Sequence, residues 1–372
     1  MNDNSSVQPV PYLRLQTEFN ALQDEWKGMI SDIGQSGAFI LGPNVRAFEE
    51  EVASFLGSTY AISVANGTDA LELSLKALGI GTGDKVITSP FTFFATAEAI
   101  SKVGATPVFA DIEVDSFNLD PNSVRNNIDS SVKAILPVHI FGNPANMESL
   151  QSIAKENNLH IIEDGAQAFG AKHHDQYVGS IGDCGCFSFY PTKVLGCYGD
   201  GGLITTDNEQ VRDHLLKLRN HGATAPFMHD ELGYNSRLDE VQAALLRIKL
   251  KKLEDDVVER IRVADRYDEL LSDCSLTTPI RPNNGRHAFN LYTIRHPRRD
   301  DLRAALNDNK IGNSQCYPMG LHLQDIYSHL GYKSGDLPVT DQLCQETLSL
   351  PIFPDMNDDE IVRVCEVVKQ FG

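Results

Sequence analysis

The sequence predicts an α/β protein: a large domain built on a mostly parallel seven-stranded sheet between helices, plus a smaller C-terminal α+β domain. Three observations predict it. Short apolar runs alternate with helical periodicity through most of the chain. Several runs are nearly continuous, as at 132–138, which marks strands buried on both faces of a parallel sheet. And 372 residues are more than one small core needs, so a second domain is expected.

The elements follow in order. A proline-bounded extended piece, Val10-Pro11-Tyr12-Leu13, precedes the helical pattern Phe19, Leu22, Trp26, Met29 and Ile30. After the turn Leu41-Gly42-Pro43, a second helix is marked by Val45, Phe48, Val52 and Phe55-Leu56. A strand is expected at 60–65, then a helix with Leu71, Leu75 and Leu78 on one face. Strands follow at 85–88, 107–110, 132–138 and 159–163, with helices at 95–103 and 147–157 between them. Cys184 and Cys186 lie in a further strand, and Ile204-Thr205-Thr206 ends the set.

One long helix is expected over 236–271, opened by a capping-box pattern at Ser236 and Asp239 and striped by Leu238, Val241, Leu245 and Ile248. Its length carries it from one domain into the other. The large domain is then 31–250, and 1–30 with 251–372 form the small one. That domain adds a strand at 289–295 and helices at 301–308 and 358–371.

Composition narrows the function. Thirty-two basic against 51 acidic residues give a net charge of −19, the wrong sign for nucleic acid. No apolar run reaches the roughly 18 residues of a membrane-spanning helix. The N-terminus Met1-Asn2-Asp3-Asn4-Ser5-Ser6 lacks the pattern of a signal peptide. Seven cysteines form no CxxC pair; Cys184 and Cys186 read as same-face neighbours in a core, no metal site is expected, and the odd count suits a reducing cytoplasm.

The chemistry centres on Lys193, in Cys186-Phe187-Ser188-Phe189-Tyr190-Pro191-Thr192-Lys193-Val194-Leu195-Gly196, a run that closes on Gly199-Asp200-Gly201-Gly202. Apolar surroundings disfavour an ammonium, so a lysine here can present a neutral amine to a carbonyl. Such an amine forms a Schiff base with pyridoxal 5'-phosphate when a carboxylate for the pyridine nitrogen and a phosphate cup accompany it. Asp164 follows the strand at 159–163, beyond a strand's carboxyl end, where ligands of parallel sheets bind. It reads as the pyridine partner or as a helix cap, and the nearby Gln167 and Lys193 favour the first.

Gln167 can reach the ring hydroxyl from the same turn. Asn66-Gly67-Thr68-Asp69 joins a strand to a helix, where exposed amides and the Thr68 hydroxyl suit a phosphate; plain capping by Asn66 or Thr68 is the simpler reading of that segment alone. Ser188 can add another hydroxyl. In Pro90-Phe91-Thr92-Phe93-Phe94, one aromatic can stack on a planar ring, although aromatics at such places are usually core. Gly79-Ile80-Gly81-Thr82-Gly83 follows a helix and precedes a strand, the wrong order for a dinucleotide loop. Arg237 beside Asn235, Tyr317-Pro318, and His322 in Leu321-His322-Leu323 are weaker candidates for substrate groups.

With these motifs the chain resembles the DegT/DnrJ/EryC1/StrS family, sugar aminotransferases of the aspartate aminotransferase superfamily with pyridoxal-phosphate fold type I. The matching segments are 66–71, 91–97, 163–171, 188–202, 219–222, 233–244 and 317–324. The resemblance implies that Lys193 carries the cofactor and shuttles the proton, Asp164 pairs with the pyridine nitrogen, Gln167 meets the ring oxygen and Phe93 stacks on the ring. It puts Gly67, Thr68 and Ser188 in the phosphate cup. It gives Asn235 to the neighbouring subunit's cofactor, which implies a homodimer with shared active sites. Arg237, Tyr317 and His322 match segments that line the sugar or nucleotide site.

Dehydratases of the family replace the lysine, so its presence implies transamination, with L-glutamate as donor and a nucleotide-linked keto sugar as acceptor. Cys197-Tyr198-Gly199-Asp200-Gly201-Gly202 differs from the Thr-Gly-Glu-Gly-Gly type of 4-keto enzymes and resembles members acting on 3-keto hexoses or hexuronic acids. Pro318-Met319-Gly320-Leu321 departs from the usual Pro-x-Pro-Leu. A 4-keto aminotransferase or dehydratase of the same fold, and a non-catalytic cofactor-binding regulator, are the alternatives.

Overall fold

The seven apolar runs pair into one sheet. In the computed structural model, which describes residues 8–371, its strand order is Tyr60–Val64, Gly202–Thr206, Cys184–Ser188, His160–Asp164, Val132–Leu136, Lys85–Thr88 and Thr106–Phe109. The last five are parallel neighbours, each return crossing over the sheet. Gly202–Thr206 runs antiparallel to both of its neighbours. The chain between Ser188 and Gly202 contains no crossover helix, and a connection without one brings the next strand back the opposite way. That short return is the segment carrying Lys193.

Side-chain alternation divides the sheet between two cores. Phe187 and Leu203 face Val45, Phe48, Val52, Leu238 and Leu245, under the helices Pro43–Leu56 and Glu240–Leu250. Cys186 and Ile204 face Leu71, Leu75 and Leu215, under Gly67–Ala77 and Glu209–Leu218. Cys184 and Cys186 both lie in this second core as free, buried thiols.

The expected single helix over 236–271 is two helices, Glu240–Leu250 and Leu253–Leu271. Its apolar stripe serves two cores: Leu245 and Leu246, with Leu253 and Val257 of the second helix, pack on the sheet side, whereas Val263, Tyr267 and Leu271 pack with Tyr292, Leu302, Leu350 and Val364 in the C-terminal core. The break at Lys251 and Lys252 re-aims the chain between them. The expected capping box also fails. Ser236 Oγ donates instead to Asp69 Oδ2 at 2.6 Å and accepts from Ala65 N at 3.0 Å, so it is committed before the helix begins. Asp239 makes no side-chain cap, and the buried Glu240 caps another helix, accepting from Asn44 N and Val45 N.

The C-terminal core covers a two-stranded sheet, Tyr292–Arg295 with Thr347–Leu350, flanked by Arg299–Asp308 and Asp358–Val368. Val10 bridges to Ile311 and contributes to that core. The following helix, Leu15–Ser36, lies against Glu240–Leu250 and reaches the turn after Lys193. Among the described residues, no helix is long and apolar enough to cross a membrane.

Candidate active site

Lys193 sits in a turn that closes on itself. Lys193 N donates to Tyr190 O at 2.9 Å, Phe189 N to Gly201 O at 2.8 Å, and Cys197 N to Phe189 O at 2.8 Å. Desolvation of the Lys193 amine lowers its pKa, against the opposing pull of Asp164 and Cys316. The shift is in the direction of the neutral amine expected from the sequence.

Asp164 ends the neighbouring strand and is 4% exposed. Its Oδ2 accepts from Thr96 Oγ1 at 2.8 Å and its Oδ1 from Ala166 N at 3.1 Å. The second bond is the local turn contact of a capping residue; the first comes from a different helix, Ala95–Lys102. Burial pushes the Asp164 pKa up, opposed by these two bonds and by the charges of Lys193 and His139.

Glu163, one residue earlier, points to the opposite side of the strand. Fully buried, it accepts from His139 Nε2, Gly179 N, Ile181 N and Gly182 N at 2.7–2.9 Å. It thereby pins the loop that leads into the Cys184–Ser188 strand. A charged residue inside an apolar strand was the available signal for this role.

Gln167 is 6% exposed. Its Oε1 accepts from Phe141 N at 3.0 Å and its Nε2 donates to Tyr317 OH at 2.9 Å, which joins Tyr317 to the Asp164 turn. The Tyr317 ring also packs on Phe91 and Phe141. Cys316, its neighbour in sequence, faces Lys193 electrostatically, and burial raises the thiol's pKa.

The first turn of Gly67–Ala77 meets the end of the Lys193 strand. A Cβ on Gly67 would stand 2.7 Å from Ser188 Cβ, so only glycine admits this approach. Asn66 caps the helix by accepting from Asp69 N at 2.8 Å, which is the simpler of the two readings given to it. The Gly67 and Thr68 amides lie in the turn whose N–H groups have no intrahelical acceptor, beside the Ser188 hydroxyl. Phe91 is core, fully buried with Phe117 and Phe141, while Phe93 two residues on is 62% exposed.

The remaining candidates border this cluster: Ser236, next to Asn235, bonds Asp69 and Ala65, and Leu321, next to His322, donates to Pro90 O at 2.8 Å. Asn235 is exposed and its Oδ1 accepts from Arg237 Nη2 at 2.5 Å; Arg237 also donates to Asn220. The His322 side chain is 0% exposed, and its Nε2 stands 3.3 Å from Asp341 Oδ1 without hydrogen-bond alignment. Burial lowers its pKa. Gly320 makes the space, since a Cβ there would lie 2.6 Å from His322 Nδ1. The ring expected to line a substrate site is thus enclosed within the fold, because the loop at 317–324 turns it inward toward Tyr332 and Asp341.

These residues fit pyridoxal 5'-phosphate. A buried carboxylate without a contacting cation among the described residues suits a pyridinium, the Gly67–Ser188 contact leaves backbone amides for a phosphate, and an exposed aromatic and a desolvated amine stand by. Fold and site together define a pyridoxal-phosphate-dependent aminotransferase of fold type I.

The chain belongs to the DegT/DnrJ/EryC1/StrS aminotransferase family, whose model matches residues 20–369. It is 41% identical over 370 residues to the UDP-N-acetyl-3-dehydro-α-D-glucosamine 3-aminotransferase of Acidithiobacillus ferrooxidans, covering 100% of this chain and 99% of that one. It is also 41% identical over 365 residues to the pleiotropic regulatory protein of Geobacillus stearothermophilus, covering 97% of this chain and 98% of that protein. The crystal structure of S. venezuelae DesV in complex with a ketimine intermediate matches with a TM-score of 0.95 at 38% identity, covering 97% and 98% of the two chains.

Proposed function

We propose that this enzyme transfers an amino group from L-glutamate to a nucleotide-linked 3-keto sugar, a hexose or hexuronic acid, for amino-sugar or surface-polysaccharide synthesis. One observation carries the reaction type: the closed turn bearing Lys193 leaves the strand that pairs in parallel with the strand ending in the buried Asp164. The 3-keto reading rests on the Cys197–Gly202 sequence and on the printed activity of the Acidithiobacillus relative.

Bound pyridoxal phosphate supplies a conjugated ring that accepts the electron pair left when the donor's α-proton departs. The chain's residues do the rest. Lys193, its pKa lowered by desolvation, takes that proton and returns it on the other side of the transfer. Asp164, oriented by Thr96 and Ala166, keeps the ring nitrogen protonated. Gly67, Thr68 and Ser188 hold the phosphate, Phe93 covers the ring, and Gln167 fixes the turn between Asp164 and Tyr317. Asn235 completes the cofactor site of a second subunit in a homodimer, and Arg237 lines the sugar or nucleotide site. Phe227 at 97% and Leu232 at 90% exposure, in the segment before Asn235, are apolar groups that such an interface would cover. Seven free cysteines support work in the cytoplasm.

Two measurements test this reading. Borohydride reduction of the cofactor-loaded protein followed by peptide mapping should place the label on Lys193; a label on another lysine overturns the assignment. With glutamate and paired 3-keto and 4-keto nucleotide sugars, 2-oxoglutarate release beyond the single equivalent that glutamate alone yields per bound cofactor should require the 3-keto compound. Release with the 4-keto sugar alone would overturn the regiochemistry.

A further inference from the structure

The turn that presents Lys193 is gripped from outside by two residues of the helix Glu240–Leu250 that have no part in the site described above. Gln242 accepts from Tyr198 N at 3.0 Å through Oε1 and donates to Tyr198 O at 3.1 Å through Nε2, as a strand partner would. A Cβ on Gly199 would lie 2.9 Å from Gln242 Nε2, so glycine there admits the grip. Seven residues later, on the same helix face, Lys249 Nζ donates to Gly196 O at 2.5 Å and to Glu18 Oε2 at 2.7 Å.

Gly196 is where the turn doubles back, its missing Cβ 2.7 Å from Pro191 O. Glu18 belongs to the N-terminal helix Leu15–Ser36, which also sets Trp26 and Phe19 against the Tyr198 ring, with centroids at 5.2 and 5.6 Å. The Lys249 side chain is only 6% exposed, a costly place for a lysine that served solely as a surface tie. Beside this pair lies a cavity of about 210 Å³, lined by Lys193 and Thr192 on one side and by Glu18, Lys249 and Arg260 on the other.

We propose that Lys249 is a positioning residue for Lys193, and that Glu18 holds Lys249 to that task, so that the N-terminal helix sets the place and the dryness of the catalytic amine. This rests on Lys193 being the reacting amine. Removing the Lys249 cation frees Gly196 O, loosens the turn three residues from Lys193, and gives water wider access to the amine through the adjoining cavity. Hydration then favours the ammonium form of Lys193.

The test compares Lys249→Met, Lys249→Arg and Glu18→Gln. Competitive acylation of the cofactor-free protein across pH, read by mass spectrometry, gives the titration midpoint of Lys193 without any turnover. The midpoint should rise in Lys249→Met, and in the loaded enzyme kcat should fall about 100-fold, with KM for the keto sugar changed by less than about threefold. Lys249→Arg should recover most of both, and Glu18→Gln should move both in the same direction by less. An unchanged midpoint with kcat within about twofold of the parent overturns the proposal even if the melting temperature drops, since a plain structural tie predicts that result. If Lys249→Met does not fold, the same two readouts in Glu18→Gln decide, and no change there overturns it. Borohydride label absent from Lys193 in the unmutated enzyme would instead sink the underlying assignment.

Discussion

Thr96 Oγ1 donates to Asp164 Oδ2 at 2.8 Å across 68 residues of sequence, and Thr92 Oγ1 stands 3.1 Å behind Thr96. A helix thus holds one oxygen of the carboxylate while the strand's own turn holds the other. Thr96→Val keeps the shape and removes the donor. Its bond lowers the Asp164 pKa, so its loss raises that pKa and moves the acidic limb of the rate profile to higher pH. Stability should fall by about 1–3 kcal/mol, measured by urea denaturation of the cofactor-free enzyme.

Asp164→Asn should separate stability from activity. Burial raises the Asp164 pKa in the folded chain, so its favourable contribution to folding exists below the unfolded carboxylate pKa and disappears as pH rises through the folded value. At neutral pH the cofactor-free enzyme carries that cost, and asparagine removes it. The melting temperature of the cofactor-free variant should rise at pH 7–8 and the gain should vanish near pH 4. Activity should drop by about 100-fold or more.

Gly67→Ala places a methyl 2.7 Å from Ser188 Cβ, in contact with strand rather than with a flexible side-chain end. The helix start must retreat from Ser188. A loss of about 1–3 kcal/mol and a weakened affinity for pyridoxal phosphate are expected together, read by thermal melts and by absorbance titration. A melt loss without any loss of cofactor affinity would remove Gly67 from the phosphate cup.

Phe91 and Phe93 should behave oppositely. Phe91→Ala empties a fully buried site beside Phe117, Phe141 and Tyr317, at about 3–5 kcal/mol. Phe93→Ala, at a position 62% exposed, should leave the cofactor-free melt within about 0.5 kcal/mol of the parent. Its effect should appear as weaker cofactor binding and an altered visible spectrum.

Much of this arrangement was legible from local chemistry. The largely apolar runs at 132–138 and 159–163 read as strands of a parallel sheet covered on both faces, with only the exposed Lys133 and the half-buried His160 interrupting them near their starts. Lys193 stood out because an aromatic strand and a glycine-rich turn surround one amine. The pattern over 236–271 reads as one helix because its apolar stripe persists on both sides of Lys251 and Lys252; periodicity records which residues are apolar, not where the backbone breaks between them. Ser236 looked like a cap because its partner, Asp69, lies 167 residues away.

The sequence by itself determined the sheet, the lysine turn and the residue types of a cofactor site, since each depends on patterns only a few residues long. Tertiary structure decided which groups support those residues. Thr96 on Asp164, Gln167 on Tyr317, Lys249 on Gly196 and Ser188 against Gly67 are contacts of high sequence separation, and the enclosure of His322 is of the same kind. Hydrogen bonding, close approach and desolvation depend on distance in space, and no short pattern along the chain encodes them.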